Sequence, residues 1–164
     1  MHATAAHPAR HCCFLVGGDC FAVPSAAVAE VLREGRLTRV PLAADAVVGL
    51  VHLRGRIVPV VDLRRRLGIA PSDSSPPRTH LVVALDDDWY SLLVDEMLDV
   101  VEVPPDAIEP AAHPTAEPHG DAVLGVFAGP ERLVHFLDPR RIIQALGRQR
   151  DSFLHKQGTS HGGV

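Results

Sequence analysis

The 164-residue sequence predicts a mainly β protein made from two copies of one small, barrel-like unit. Three observations lead there. Short apolar runs recur at close spacing, separated by Gly-, Asp- or Pro-containing turns. Helical signals are few and brief. One pattern of strand, turn, strand, aspartate and basic helical turn occurs twice, without gaps, at the offset that carries Gly49 onto Gly125.

Taken in order, residues 1–11 read as a loose N-terminal tail. Cys13 to Val16 and Cys20 to Val23 read as strands joined across Gly17-Gly18-Asp19. Pro24-Ser25 opens a short helical stretch, with Val28, Val31 and Leu32 on one face. Leu37 to Pro41 is extended. Val47 to Leu53 and Ile57 to Val61 form the clearest hairpin, turning at Arg54-Gly55-Arg56. Asp62 to Leu67 is a helical turn ending at Gly68, and residues 70–79 have linker composition. His80 to Leu85 and Trp89 to Val94 form a second hairpin, and Leu98 to Val103 is a further strand. A Pro- and His-containing loop spans 110–121. Ala122 to Phe127 and Arg132 to Leu137 form a third hairpin. Asp138 caps a last helix, with Pro139 at its first position, reaching about Arg148. Residues 149–164 read as a frayed tail.

The repeat rests on three landmarks that share this one offset. Val48-Gly49-Leu50 matches Leu124-Gly125-Val126, and Arg56-Ile57-Val58 matches Arg132-Leu133-Val134. Asp62 with Arg64-Arg65 matches Asp138 with Arg140-Arg141. Each copy is too small to bury much core alone, so the expected lobes, 12–79 and 80–148, share an apolar interface with a groove between them.

Composition bounds the function. Apolar residues are 46% of the chain, enough for a core. A formal net charge of -4 opposes nucleic-acid binding, and 4% aromatic residues leave few stacking platforms. No apolar run approaches a membrane span, and the N-terminus lacks a signal-peptide pattern. Three cysteines, two of them adjacent, are no disulfide framework and suit a reducing cytoplasm. The spacing of His11, Cys12, Cys13 and Cys20 fits no zinc pattern, and neighbouring strand residues face opposite ways, so no metal or other cofactor is expected. His135 and Asp138 have no nucleophile near them in sequence, and no enzyme is expected. Arg64-Arg65-Arg66 reads as a solvated helical face.

The most informative stretch is VVGLVHLRGRIVPVVDLRRRLG, residues 47–68. Gly49 marks a bulge or a close backbone approach, and Gly55 permits a tight turn. Arg54 stands at that turn, where its guanidinium presents a planar fork of donors. With Val28-Ala29-Glu30-Val31 and Val40-Pro41 upstream, the stretch resembles the CheW family of bacterial chemosensory coupling proteins over about residues 12–148.

The resemblance implies two packed Src-homology-3-like barrels of five strands each, without an active site. It also implies two partners, a chemoreceptor's cytoplasmic tip and the regulatory domain of a CheA-type histidine kinase. Arg54, Gly55, Val28 and Glu30 would then belong to the receptor side. Val48, Leu50, Leu53, Ile57 and Val58 would belong to the kinase side. The protein would sit in the cytoplasm beside membrane-bound receptor arrays. The family's Asn before the Leu-Arg-Gly turn is His52 here, which bears on the choice of receptor more than on the fold.

Overall fold

The structure, a computed structural model, describes residues 7–33, 37–39, 45–70, 79–111 and 121–146. Its strands are β1 (Ala9–Val16), β2 (Asp19–Pro24), β3 (Val28–Arg33), β4 (Val47–Leu53) and β5 (Arg56–Asp62), followed by β6 (Thr79–Leu85), β7 (Asp88–Val94), β8 (Glu96–Val103), β9 (Glu109–Pro110), β10 (Val123–Ala128) and β11 (Leu133–Leu137). Helix α1 is Leu63–Arg66, and α2 covers 139–146.

Two sheets form, in the orders β3-β6-β7-β5-β4 and β8-β1-β2-β11-β10-β9; they are called lobe one and lobe two below. The mainly β class and the two-unit plan agree with the sequence. The division at 79/80 does not describe the sheets. Each lobe takes its leading hairpin from the other half of the chain: β6–β7 sits in lobe one and β1–β2 in lobe two. Neither sheet closes into a continuous hydrogen-bonded barrel among the described residues. β3 and β4 remain opposite edges of one sheet, β8 and β9 of the other.

The exchange explains the sequence of those hairpins. Phe14, Val16, Phe21 and Val23 join Leu81, Val83, Leu92 and Val94 in the core between the lobes. The alternate residues Cys13, Cys20 and Ala22 face a second core within lobe two. Both faces are therefore buried, and the strands read as continuous apolar runs rather than alternating ones. This core occupies the interface where a groove was expected.

Three local expectations change. Residues 9–11 are not a tail but the start of β1, paired with Val101–Val103 of β8. Val28–Arg33 is a strand, not a helix. Pro24-Ser25 starts only a 3-10 turn, Ser25–Ala27, after which β3 pairs antiparallel with β6. Apolar residues at 28, 31 and 32 satisfy a helical stripe, but pairing with a strand far along the chain decides the outcome. Only Arg65 of the arginine run is solvated; Arg64 and Arg66 are not. Arg64 is buried against Asp95, at 3.0 Å and 2.9 Å. Arg66 donates to the Ile142 and Arg141 carbonyls of α2 and to Asp121.

The repeat is reproduced in bonds. Asp62 and Asp138 accept from the Arg64 and Arg140 amides, each at 3.0 Å, capping α1 and α2. Their own amides donate to Ala46 and Ala122. Arg65 and Arg141 donate to the Asp45 and Asp121 carbonyls. Gly49 and Gly125 both lie against a backbone carbonyl, of Thr38 and Glu109 respectively, leaving no room for a Cβ.

Candidate functional site

The β4–β5 turn carries two of the expected receptor-side residues, Arg54 and Gly55, and β3 carries the other two, Val28 and Glu30. Arg54 has φ 50 and Gly55 φ 75, so the turn uses two left-handed residues. That conformation is ordinary for glycine and uncommon for arginine. Arg54 stands out from the surface, with its side chain 70% exposed. Its Nε donates to Glu30 Oε2 at 2.9 Å, and Nη2 reaches Oε1 at 3.5 Å. The hydrogen bond to Glu30 and that carboxylate's charge raise the Arg54 pKa further above its already high value.

This contact has topological meaning. Glu30 belongs to β3 and Arg54 follows β4, and these strands are opposite edges of lobe one. The ion pair therefore spans the sheet's open side. Val28 packs half-buried against the core between the lobes and supports β3 from beneath. On the outer face, Val31 is 43% exposed.

The residues expected on the kinase side divide in two. Ile57 is 63% exposed and stands beside Pro59 on β5, at a cavity of about 360 Å³ shared with Trp89 and Tyr90. Arg56 covers the Trp89 ring, 4.6 Å from its centroid, and donates to the Asp87 carbonyl. Val48, Leu50 and Leu53 are half-buried. Val58 is fully buried with Val51 and Val60 in the core of lobe one. A side chain with no exposed surface cannot touch a partner, so Val58 supports the hairpin rather than contacting anything. Sequence reading placed Val31 on a helical face and Trp89 at a strand start, and made neither a site residue. Knowledge that β3 is a strand would have turned Val31 outward, whereas Trp89 required the β5–β7 pairing.

The remaining candidates resolve locally. His52 is exposed on β4, opposite Ile57. His135 Nδ1 lies 3.1 Å from the Cys20 carbonyl, and Asp138 is a helix cap. Cys12 lies in the core between the lobes, Cys13 and Cys20 in the interior of lobe two. Among the described residues, no cluster of three His, Cys, Asp or Glu is placed to hold a metal ion. No helix among them is long and apolar enough to cross a membrane.

Comparison with known proteins matches residues 10–147 to the CheW-like domain. The chain is 26% identical to the chemotaxis protein CheW of Bacillus subtilis over 130 residues, 79% of this chain and 83% of that one. It is 32% identical to the protein FrzA of Myxococcus xanthus over 142 residues, 84% of this chain and 86% of FrzA. The crystal structure of the scaffolding protein TtCheW from Thermoanaerobacter tengcongensis superposes with a TM-score of 0.73 at 24% identity, covering 80% of this chain and 89% of that one. The family match spans β1 through α2, including the exchanged hairpins and the Arg54 turn, and the chain belongs to the CheW-like domain family.

Proposed function

We propose that this chain is a non-catalytic adaptor coupling a chemoreceptor's cytoplasmic tip to the regulatory domain of a CheA-type histidine kinase. The observation that carries the reading is the exposed Arg54, paired with a half-buried Glu30 across the open side of lobe one, in a chain of this family. The receptor side takes Arg54 and Glu30, with Gly55 shaping the turn and Val28 holding β3 in place. The guanidinium is the exposed partner of the pair and can turn toward another carboxylate, while Glu30 stays half-buried on β3. The kinase side takes Ile57 as its exposed apolar contact, with Val48, Leu50 and Leu53 around it. In this reading the adaptor works in the cytoplasm, and avidity within an array supplies the strength that single contacts lack.

A second reading places the same adaptor in a chemosensory circuit whose output is not motility. Its support is that the chain is as similar to FrzA, over 84% of its length, as to proteins named chemotaxis protein CheW, so the likeness does not single out one circuit.

The test is capture of the host's CheA-type kinases and receptor tips by the purified protein and by Arg54→Ala. The expected result is retained kinase binding, weakened receptor binding and an unchanged melting temperature for the variant. Normal receptor coupling by Arg54→Ala refutes the site, and binding to neither partner refutes the adaptor. The kinase captured distinguishes the two circuits.

A further inference from the structure

The two lobes differ at one place where the duplication would make them alike. In lobe one, Glu30–Arg54 spans the gap between β3 and the β4–β5 turn. In lobe two, the offset that carries Gly49 onto Gly125 carries Arg54 onto Pro130, which has no cation to offer. A cavity of about 590 Å³ lies open there instead, walled by Leu98, Val101, Phe127 and Val134. The free thiols of Cys13 and Cys20 line its floor, and Arg132 stands at its rim.

The sheet register puts both sulfurs on one face. Cys13 pairs with Ala22 and Cys20 with Leu15, so the two cysteines are diagonal neighbours on β1 and β2. Cys12, one residue away, points into the core between the lobes instead. Each thiol senses the other. Burial, with Cys20 beside it, pushes the Cys13 thiol up to about 12, and burial raises Cys20 as well. The positive charge of Arg132 acts on both in the opposite sense.

That spacing selects the chemistry. A disulfide needs Cβ atoms about 3.8 Å apart. Diagonal neighbours stand wider, with Cα atoms about 7–8 Å apart and Cβ atoms somewhat closer. An ion held between two sulfurs, at about 2.3 Å from each, widens the span by roughly 2.5 Å and so fits a diagonal pair. Buried, protonated thiols are also poor nucleophiles toward oxidants. Zinc asks for four ligands, and among the described residues no third His, Cys, Asp or Glu joins the pair. Monovalent copper is a soft ion that thiolates select, and it is content with two sulfurs in line.

We propose that Cys13 and Cys20 form a two-thiolate site for one monovalent copper ion at the floor of the lobe-two cavity. Two copper–sulfur bonds form and two S–H bonds break. Both protons pass to solvent through the open cavity, and no electron is transferred. The complex carries one net negative charge, which the nearby Arg132 guanidinium offsets. The site stands apart from the coupling reading, and its test needs no partner protein.

The experiment titrates the full chain, reduced and free of air, with monovalent copper buffered by bicinchoninate. The unmodified protein is expected to take one copper ion from the chelator, and X-ray absorption at the copper edge to count two sulfur ligands. Cys13→Ser and Cys20→Ser should each weaken binding by more than about a hundredfold, beyond the loss that an outer-shell partner gives. Arg132→Met leaves both thiols in place and should weaken binding by about tenfold. Cys12→Ser should bind as the unmodified chain does. Melting curves establish that each variant is folded; if the serine variants at 13 and 20 are not, Arg132→Met and the sulfur count carry the test. Failure to take copper from bicinchoninate, a single sulfur ligand, unchanged affinity in Arg132→Met, or an equal loss in Cys12→Ser overturns the proposal.

Discussion

Arg64 and Arg140 occupy equivalent positions in the duplicated helical turns, yet replacing them is expected to have very different consequences. Arg64 reaches from α1, at the end of a lobe-one strand, to Asp95. That carboxylate also accepts the Gly17 amide at 2.7 Å, in the tip of the β1–β2 hairpin of lobe two. The Arg64 side chain is 10% exposed and that of Asp95 21%. Arg140 makes the matching reach to Asp86 in the β6–β7 turn, with two bonds of 2.9 Å, but the two side chains are 54% and 75% exposed. Breaking a fully buried pair costs about 3–5 kcal/mol. An exposed one contributes up to about 1 kcal/mol. Arg64→Ala lies nearer the first case and is expected to cost about 2–3 kcal/mol, lowering the melting temperature by about 5–10 °C for a chain of this size. Arg140→Ala should leave it unchanged within error.

Urea unfolding followed by far-ultraviolet circular dichroism reads both variants, and an unchanged slope confirms that only stability moved. A companion variant, Arg64→Met with Asp95→Asn, removes both charges while keeping volume, and recovers most of the loss. If Arg64→Ala is no more costly than Arg140→Ala, the reasoning from burial to magnitude fails.

Two further expectations concern stability. Gly49→Ala and Gly125→Ala each drive a Cβ into a carbonyl of the neighbouring segment and should cost about 1–3 kcal/mol by thermal melting. Gly55→Ala meets open space and should lose only about 1 kcal/mol, from its left-handed φ. His80 is buried, with Nδ1 2.8 Å from Ser91 Oγ, and burial lowers its pKa. A lowered folded-state pKa favours the neutral ring, so the contribution is fully present above the unfolded value of about 6.5 and is lost as pH falls below it. Melting temperatures between pH 7.5 and 5 should therefore drop more in the unmodified protein than in His80→Gln; parallel profiles refute the assignment.

How legible the fold was depends on whether neighbours in sequence are neighbours in space. The β4–β5, β6–β7 and β10–β11 hairpins are local, and turn chemistry with apolar patterning places them closely. Asp138 was readable as a cap because an N-cap bonds to amides in the first turn that follows it, whereas Asp62, read as the start of a helical turn, is the cap of α1. β3 was misread because a short segment with apolar residues at 28, 31 and 32 serves either period, and β6 selects the strand. Val58 was misassigned for a similar reason. On β5, Ile57 and Val58 are both apolar and face opposite sides of the sheet, and the packing of Val58 with Val51 and Val60 decides which side is covered.

By itself, the sequence determined the mainly β class, the duplication at one constant offset and the turn that presents Arg54. These follow from local backbone preferences and from the recurrence of one pattern. Only the tertiary structure decided that each lobe borrows its leading hairpin from the other half. It also decided that the arginines of the helical turns bind across lobes, and that lobe one is bridged by an ion pair where lobe two stays open. Strand exchange pairs residues far apart in the chain, and its gain comes from burying both faces of β1–β2 and β6–β7 at once. A linear pattern records that such strands are apolar throughout, but not which partner covers each face.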